Sequence, residues 1–209
     1  MIAIVDYNAG NIRSVQKAFE YAGASCLVTS SPEAILSADG VILPGVGAFK
    51  DCFGNLKDRG LDRVVLQCLE KGMPFLGICL GFQMLFEYSE ESGPDGGRVK
   101  GMGVFKGFVR QFPQDMGLKV PQIGWNSLDM TKECVLFEGL QSTPYVYFVH
   151  SYYVTAEDRS LVAARSHYGI PFDAAIARGR IFAVQFHPEK SGDVGLVIIR
   201  NFMKVVYGV

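Results

Sequence analysis

The sequence predicts an α/β fold: one domain, residues 1–209, with a mostly parallel central sheet flanked by helices and carrying an antiparallel extension. Three observations predict it. Short apolar runs alternate with helical patterns through the first half. The second half turns into successive strand patterns with few helical signals between them. The closing segment returns to a helix. Strands that alternate with helices imply parallel pairing with both faces of the sheet covered.

Taken in order, Ile2 to Val5 reads as a buried strand, and Asn11 as the N-cap of a helix. That helix puts Ile12, Val15, Phe19 and Ala22 on one face, and Gly23 closes it. Cys26-Leu27-Val28 and Val41-Ile42-Leu43 are two further buried-strand patterns. Leu61, Val64, Val65, Cys68 and Leu69 keep helical spacing until Gly72 and Pro74 end it. Phe75 to Ile78 is the next strand and Phe82 to Tyr88 the next helix. The glycine-rich stretch from Gly93 to Gly107 (including Gly96, Gly97, Gly101 and Gly103) predicts turns and hairpins. Tyr145 to Val149, Leu161 to Arg165, Ala174 to Ala177 and Ile181 to Phe186 follow as strands of the same sheet's extension. Val194, Val197, Ile198, Phe202 and Val205 form the stripe of the last helix.

Composition narrows the function classes. Hydrophobic residues make up 49% of the chain and charged ones 20%, which fits a packed core and excludes general disorder. Twenty basic residues nearly cancel 21 acidic ones, so neither nucleic acid nor an anionic membrane is an expected partner. No apolar run approaches the roughly 18 residues of a membrane-spanning helix. Met1 to Asp6 reads as a first strand and not a secretory leader, because it lacks a basic region and meets an acid early. Five cysteines without a Cys-x-x-Cys pair argue against a disulfide framework or a zinc site, so no metal is expected and the cytoplasm is the natural compartment.

One of those cysteines stands apart. Cys79 lies in Gly77-Ile78-Cys79-Leu80-Gly81, between a predicted strand and a predicted helix. This is the pattern of a nucleophile elbow, with glycines on either side relieving the bend. Such a turn lifts the sulfur off the carboxyl edge of the sheet, where open α/β sheets bind ligands. A following helix N-terminus would lower the thiol from its free pKa of about 8.5. Cys26, Cys68 and Cys134 read as small buried hydrophobes, while Cys52 stays open between packing and function.

A nucleophilic cysteine needs a base. His187 follows an apolar strand in Phe186-His187-Pro188-Glu189. In an extended chain Glu189, two residues on, points to the same side and orients the imidazole. His150 is either a substrate contact or a buried, hydrogen-bonded ring, and His167 reads as a turn residue. Pro44-Gly45-Val46-Gly47 lacks the lysine of a phosphate loop, and no cofactor is called for. It is either a tight turn or a source of backbone N–H groups, at Val46 and Gly47, that complete an oxyanion hole with the amide of Leu80. Gln83, one helical turn after Cys79, is placed to hydrogen-bond a polar substrate.

Together these motifs resemble the class I, triad-type glutamine amidotransferases: Pro44 to Gly47, Gly77 to Gln83 and His187-Pro188-Glu189 stand in family order and spacing. Asp6 to Val15, including Ala9, with Pro121-Gln122-Ile123-Gly124-Trp125-Asn126, Phe148 to Tyr153 and His187 to Ser191, look like the glutaminase-subunit branch of imidazole glycerol phosphate synthases. The one departure is Lys106, where many relatives carry proline. The resemblance implies a catalytic triad of Cys79, His187 and Glu189 acting on glutamine, with Gln83, His150, Ser151 and Tyr152 around the substrate. It also implies a separate partner, a (β/α)8-barrel cyclase subunit that consumes the ammonia, with Lys190 as a contact to it.

Overall fold

The computed structural model describes residues 1–8, 10–92 and 97–209; Ala9 and the predicted turns at Gly93 and Gly96 lie outside them. The first half runs β1 (Ile2–Val5), α1 (Ile12–Tyr21), β2 (Cys26–Thr29), α2 (Pro32–Leu36), β3 (Gly40–Leu43), α3 (Phe49–Asp58), α4 (Leu61–Glu70), β4 (Phe75–Ile78) and α5 (Leu80–Gln83). Strands then dominate: β5 (Phe86–Ser92), β6 (Arg98–Lys100), β7 (Phe105–Gln111), β8 (Gln122–Ser127), β9 (Asp129–Met130), β10 (Tyr145–His150) and β11 (Tyr152–Ala156). β12 (Val162–Tyr168), β13 (Ile170–Arg178), β14 (Ile181–Val184) and α6 (Gly192–Tyr207) complete the chain.

Among the described residues, twelve strands form one sheet, whose main path is β2-β1-β3-β4-β14-β13-β11-β7-β5-β6. The first five strands on that path are parallel, and the sheet turns antiparallel at the β14–β13 hairpin. Alternation along the parallel strands divides the core between two faces. Ala3, Val5, Val41 and Leu43 pack with the apolar sides of α3 and α4, while Ile2, Ile4 and Ile42 pack with Val15 and Phe19 of α1 and Ile198 and Phe202 of α6.

The parallel core follows the sequence reading; four details depart from it. β2 is an edge strand, not a buried one, and Leu27 is 37% exposed. The helix expected from Phe82 to Tyr88 is a single turn, with β5 replacing the rest. Its carbonyls from Met84 to Glu87 accept instead from the amides of Gly101 to Phe105. Glycine permits that approach, since a Cβ at Gly101 would lie 2.2 Å from the Phe86 oxygen. Tyr145 to Val149 leaves the main sheet and pairs with β8 as a separate two-stranded ribbon. In α6 the buried stripe takes Ile199 and Val206 in place of Val194, Val197 and Val205. Lys106 sits inside β7, and its carbonyl accepts from Glu157. No described helix is long and apolar enough to cross a membrane.

Candidate active site

The site grows out of three neighbouring parallel strands. β3, β4 and β14 lie side by side, with Leu43 opposite Gly77 and Val184 opposite Ile78. Each ends at the same carboxyl edge. The segments that leave them are Pro44–Gly47, Cys79–Gln83 and Gln185–Glu189, and the Cys79 amide donates to the Val184 carbonyl at 2.8 Å. Residues more than a hundred positions apart meet because their strands are adjacent.

Cys79 takes the turn itself, at φ 54° and ψ −104°, a strained conformation for a residue with a side chain. The flanking glycines serve close packing, not the bend: a Cβ on Gly81 would lie 1.8 Å from the Leu43 oxygen, and one on Gly77 2.9 Å from the Gly81 oxygen. Because α5 is only one turn, the helix-dipole contribution expected at the thiol is correspondingly small. Cys79 is 4% exposed, and its sulfur lies 4.0 Å from the Val149 carbonyl and 3.6 Å from Gln185 Nε2.

His187 and Glu189 are paired, His187 Nδ1 to Glu189 Oε1 at 2.7 Å, with both side chains essentially buried. The extended chain expected between them is replaced by a short 3-10 turn over Pro188–Lys190, which brings the carboxylate back to the ring's Nδ1 edge. Ser191 Oγ fixes the turn by donating to the His187 carbonyl at 2.6 Å. Burial, the largest influence, opposes the imidazolium. The Cys79 sulfur and the Glu189 carboxylate outweigh it and raise His187 to about 10. A histidine so held keeps its proton at neutral pH, and its Nε2 is buried without a hydrogen-bond partner among the described residues.

The sequence places Asn11 as a helix cap, and its position does precede α1. Its backbone is left-handed (φ 69°), however, and its side chain caps nothing. Nδ2 instead donates to Glu189 Oε1 at 2.6 Å. No local signal reveals this role, because the contact spans the length of the chain.

His150 is buried and held by the Tyr152 carbonyl at Nδ1, 2.8 Å away. Burial depresses it to about 4, so the ring is neutral at pH 7 and cannot replace His187 as the proton donor. His167, read as a turn residue, belongs to β12 and lies on the surface. Gln83 is 2% exposed, and its Nε2 is spent on the Tyr152 carbonyl and Gln185 Oε1, both at 2.9 Å. Toward a ligand it therefore offers an acceptor. Cys79, Gln83, His150, Ser151 and Tyr152 share one cavity of about 290 Å³ with Val46, Gly47 and Leu80. Glu91, in β5, joins that lining. Burial raises its pKa, and its carboxylate accepts from the Phe49 amide at 2.6 Å.

The loop after β3 has each of three successive carbonyls held. Tyr7 Oη donates to Pro44 at 2.5 Å, the Leu80 amide to Gly45 at 3.3 Å and Cys52 Sγ to Val46 at 3.2 Å. This gives Cys52 a place: it braces the loop. It also corrects the expected geometry at Leu80, whose amide is engaged by Gly45 in this conformation and does not face the cavity as a free donor. Cys68 is fully buried as expected, whereas Cys26 and Cys134 are only partly so; all five thiols are free.

Residues 3–206 match the family described as glutamine amidotransferase class-I. The chain is 50% identical over 207 residues to the imidazole glycerol phosphate synthase subunit HisH of Syntrophotalea carbinolica, covering 97% of this chain and 98% of that one. It is 51% identical to the subunit of the same name from Thermosynechococcus vestitus, at 98% and 97% coverage. A crystal structure of a glutamine amidotransferase superposes over the whole of both chains with a TM-score of 0.75 at 21% identity. PurLQS from Thermotoga maritima aligns at 0.73 and 20%, covering 97% of each chain. The chain belongs to the class-I glutamine amidotransferase family, in the branch of the HisH subunits.

Proposed function

We propose that residues 1–209 form one glutaminase domain that releases ammonia from glutamine for a cyclase subunit of imidazole glycerol phosphate synthase. The observation that carries the reading is the buried His187–Glu189 pair beside a strained cysteine at the same sheet edge. Cys79 thiolate attacks the side-chain amide carbon, and the carbonyl electrons move onto oxygen. His187 passes its proton to the leaving nitrogen, which departs as ammonia and leaves a γ-glutamyl thioester. Water then gives a proton to His187 and attacks the thioester. Collapse returns the thiolate and frees glutamate. Glu189 keeps the imidazole oriented throughout, and Asn11 keeps Glu189 in place.

Gln83 Oε1 and the Glu91 carboxylate offer acceptors for the N–H groups of glutamine. Ser151 and Tyr152 complete the lining. An oxyanion hole built from Val46, Gly47 and Leu80 requires the Leu80–Gly45 hydrogen bond to open. At 3.3 Å that bond is long.

A docking face for the partner lies beside the catalytic pair. Ile123 and Trp125, two apart on β8, are 63% and 55% exposed, and Tyr145 on β10 is 54% exposed. Trp125 meets Tyr147 edge-on at 6.2 Å, and Lys190 Nζ lies 5.9 Å over the Tyr147 ring. Aromatic residues beside a cation suit a protein interface. For the (β/α)8-barrel cyclase, which would use the ammonia to form imidazole glycerol phosphate and an aminoimidazole carboxamide ribotide, this face sets the acceptor near Cys79. Five free thiols suit a reducing cytoplasm.

The test is product formation with the cyclase subunit and its ribonucleotide substrate. Cys79→Ala should abolish glutamine-dependent synthesis while ammonium salts still support the partner's turnover. Glutamine-dependent synthesis surviving in Cys79→Ala would overturn the nucleophile assignment, and no glutaminase activity in the presence of the cyclase would overturn the branch.

A further inference from the structure

Beneath the triad, Gln83 continues into a second carboxamide, Gln185, that the mechanism above does not use. Gln185 is fully buried, two residues before His187. Its Oε1 accepts from Gln83 Nε2 at 2.9 Å, and its Nε2 stands 3.6 Å from Cys79 Sγ. Gln83 Nε2 also donates to the backbone carbonyl of Tyr152 at 2.9 Å.

The far end of this chain decides its polarity. A carbonyl has no proton to give, so the Tyr152 oxygen requires a donor, and Gln83 must present its NH2 there. The same nitrogen then gives its second proton to Gln185, which must answer with oxygen. Reversing Gln185 would set two NH2 groups face to face, and reversing both would set two oxygens face to face at Tyr152. Either change leaves buried polar groups unsatisfied. Only one orientation survives, and it turns the Gln185 N–H toward sulfur.

We propose that Gln185 is a catalytic residue that donates a hydrogen bond to the Cys79 thiolate, with its orientation imposed through Gln83 by the Tyr152 carbonyl. The donor contacts the reacting atom from within the sheet edge, leaving the cavity side of the sulfur open to the substrate. It also stabilises the thiolate before attack and again when collapse of the second intermediate returns it. This assignment rests on the reading of Cys79 as nucleophile.

The experiment follows alkylation of Cys79 by iodoacetamide as a function of pH, located by peptide mass spectrometry, together with glutaminase kinetics in the presence of the cyclase subunit. In Gln185→Leu the pH of half-maximal alkylation should move up by about one unit, since a hydrogen bond to a charged group is lost. The kcat should fall about tenfold with KM within about twofold. Gln185→Glu keeps an acceptor for Gln83 and so preserves the fold, and it should move the midpoint further because it sets a like charge beside the sulfur. An unchanged midpoint in a folded Gln185→Glu or Gln185→Leu protein, whatever happens to kcat, would overturn the proposal. Wild-type glutaminase activity that survives complete alkylation of Cys79 would instead overturn the nucleophile assignment itself.

Discussion

Two buried carboxylates, one in each half of the sheet, are used in opposite ways. Asp173 lies in the antiparallel extension and is fully engaged. Arg159 meets it with two hydrogen bonds of 2.6 and 2.7 Å, the Ala156 amide donates at 3.0 Å, and Arg165 stands 3.6 Å away. Glu189 lies at the carboxyl edge of the parallel strands. His187 and Asn11 both donate to its Oε1, and Oε2 has no partner among the described residues. A saturated carboxylate facing permanent cations locks backbone in place. A half-satisfied one facing a titratable ring holds that ring while its charge changes. Burial alone does not mark a catalytic acid; its partners do.

Breaking the two carboxylates separately gives the largest contrast. Glu189→Gln should lower kcat with the partner present by about 10²- to 10⁴-fold, with a melting temperature close to wild type. Asp173→Asn should do the reverse, lowering stability by about 1–3 kcal/mol in urea titrations while the folded enzyme keeps its kcat. Equal losses of activity in both would erase the distinction.

A smaller contrast separates two glycines. Alanine at Gly81 would press on the Leu43 oxygen at 1.8 Å, and alanine at Gly107 on the Thr155 oxygen at 2.3 Å. Each should cost about 1–3 kcal/mol in thermal or urea unfolding. Only Gly81→Ala should also reduce kcat, because it displaces the turn that carries Cys79.

The smallest effect sharpens the comparison through pH. His150, depressed to about 4, binds fewer protons folded than unfolded between about pH 6.5 and 4, so its burial lowers stability as pH falls through that window. His187, raised to about 10, contributes stability that is complete below about pH 6.5 and is lost as pH rises toward 10. Urea midpoints should therefore decline less steeply toward pH 4 in His150→Asn than in wild type. They should decline less steeply toward pH 10 in His187→Gln. A variant with the wild-type slope on its own limb would refute that histidine's assignment.

Much of the fold was legible because parallel strands covered on both faces read as short apolar runs, as in Ile2 to Val5 and Phe75 to Ile78. The strand that replaces the second half of the Phe82 helix was not, since its cause is the distant Gly101–Phe105 segment that takes the helix's carbonyls. At the site, Cys79, His187 and Glu189 stood out by local spacing. Asn11, Glu91 and Gln185 did not, because their partners lie far away in the chain.

By itself, then, the sequence determined the residue types and the turn chemistry: a cysteine at a glycine-flanked strand end, a His-x-Glu after another strand, and the alternation that makes those strands parallel. Only the tertiary structure decided their meeting, by setting β3, β4 and β14 side by side in one register. It also decided the polarity of the Tyr152–Gln83–Gln185 chain and the engagement of the Leu80 amide by Gly45. The physical reason is the reach of each force. Propensity and periodicity act within a few residues, whereas the hydrogen bonds that orient a buried donor are settled only when distant segments pack together.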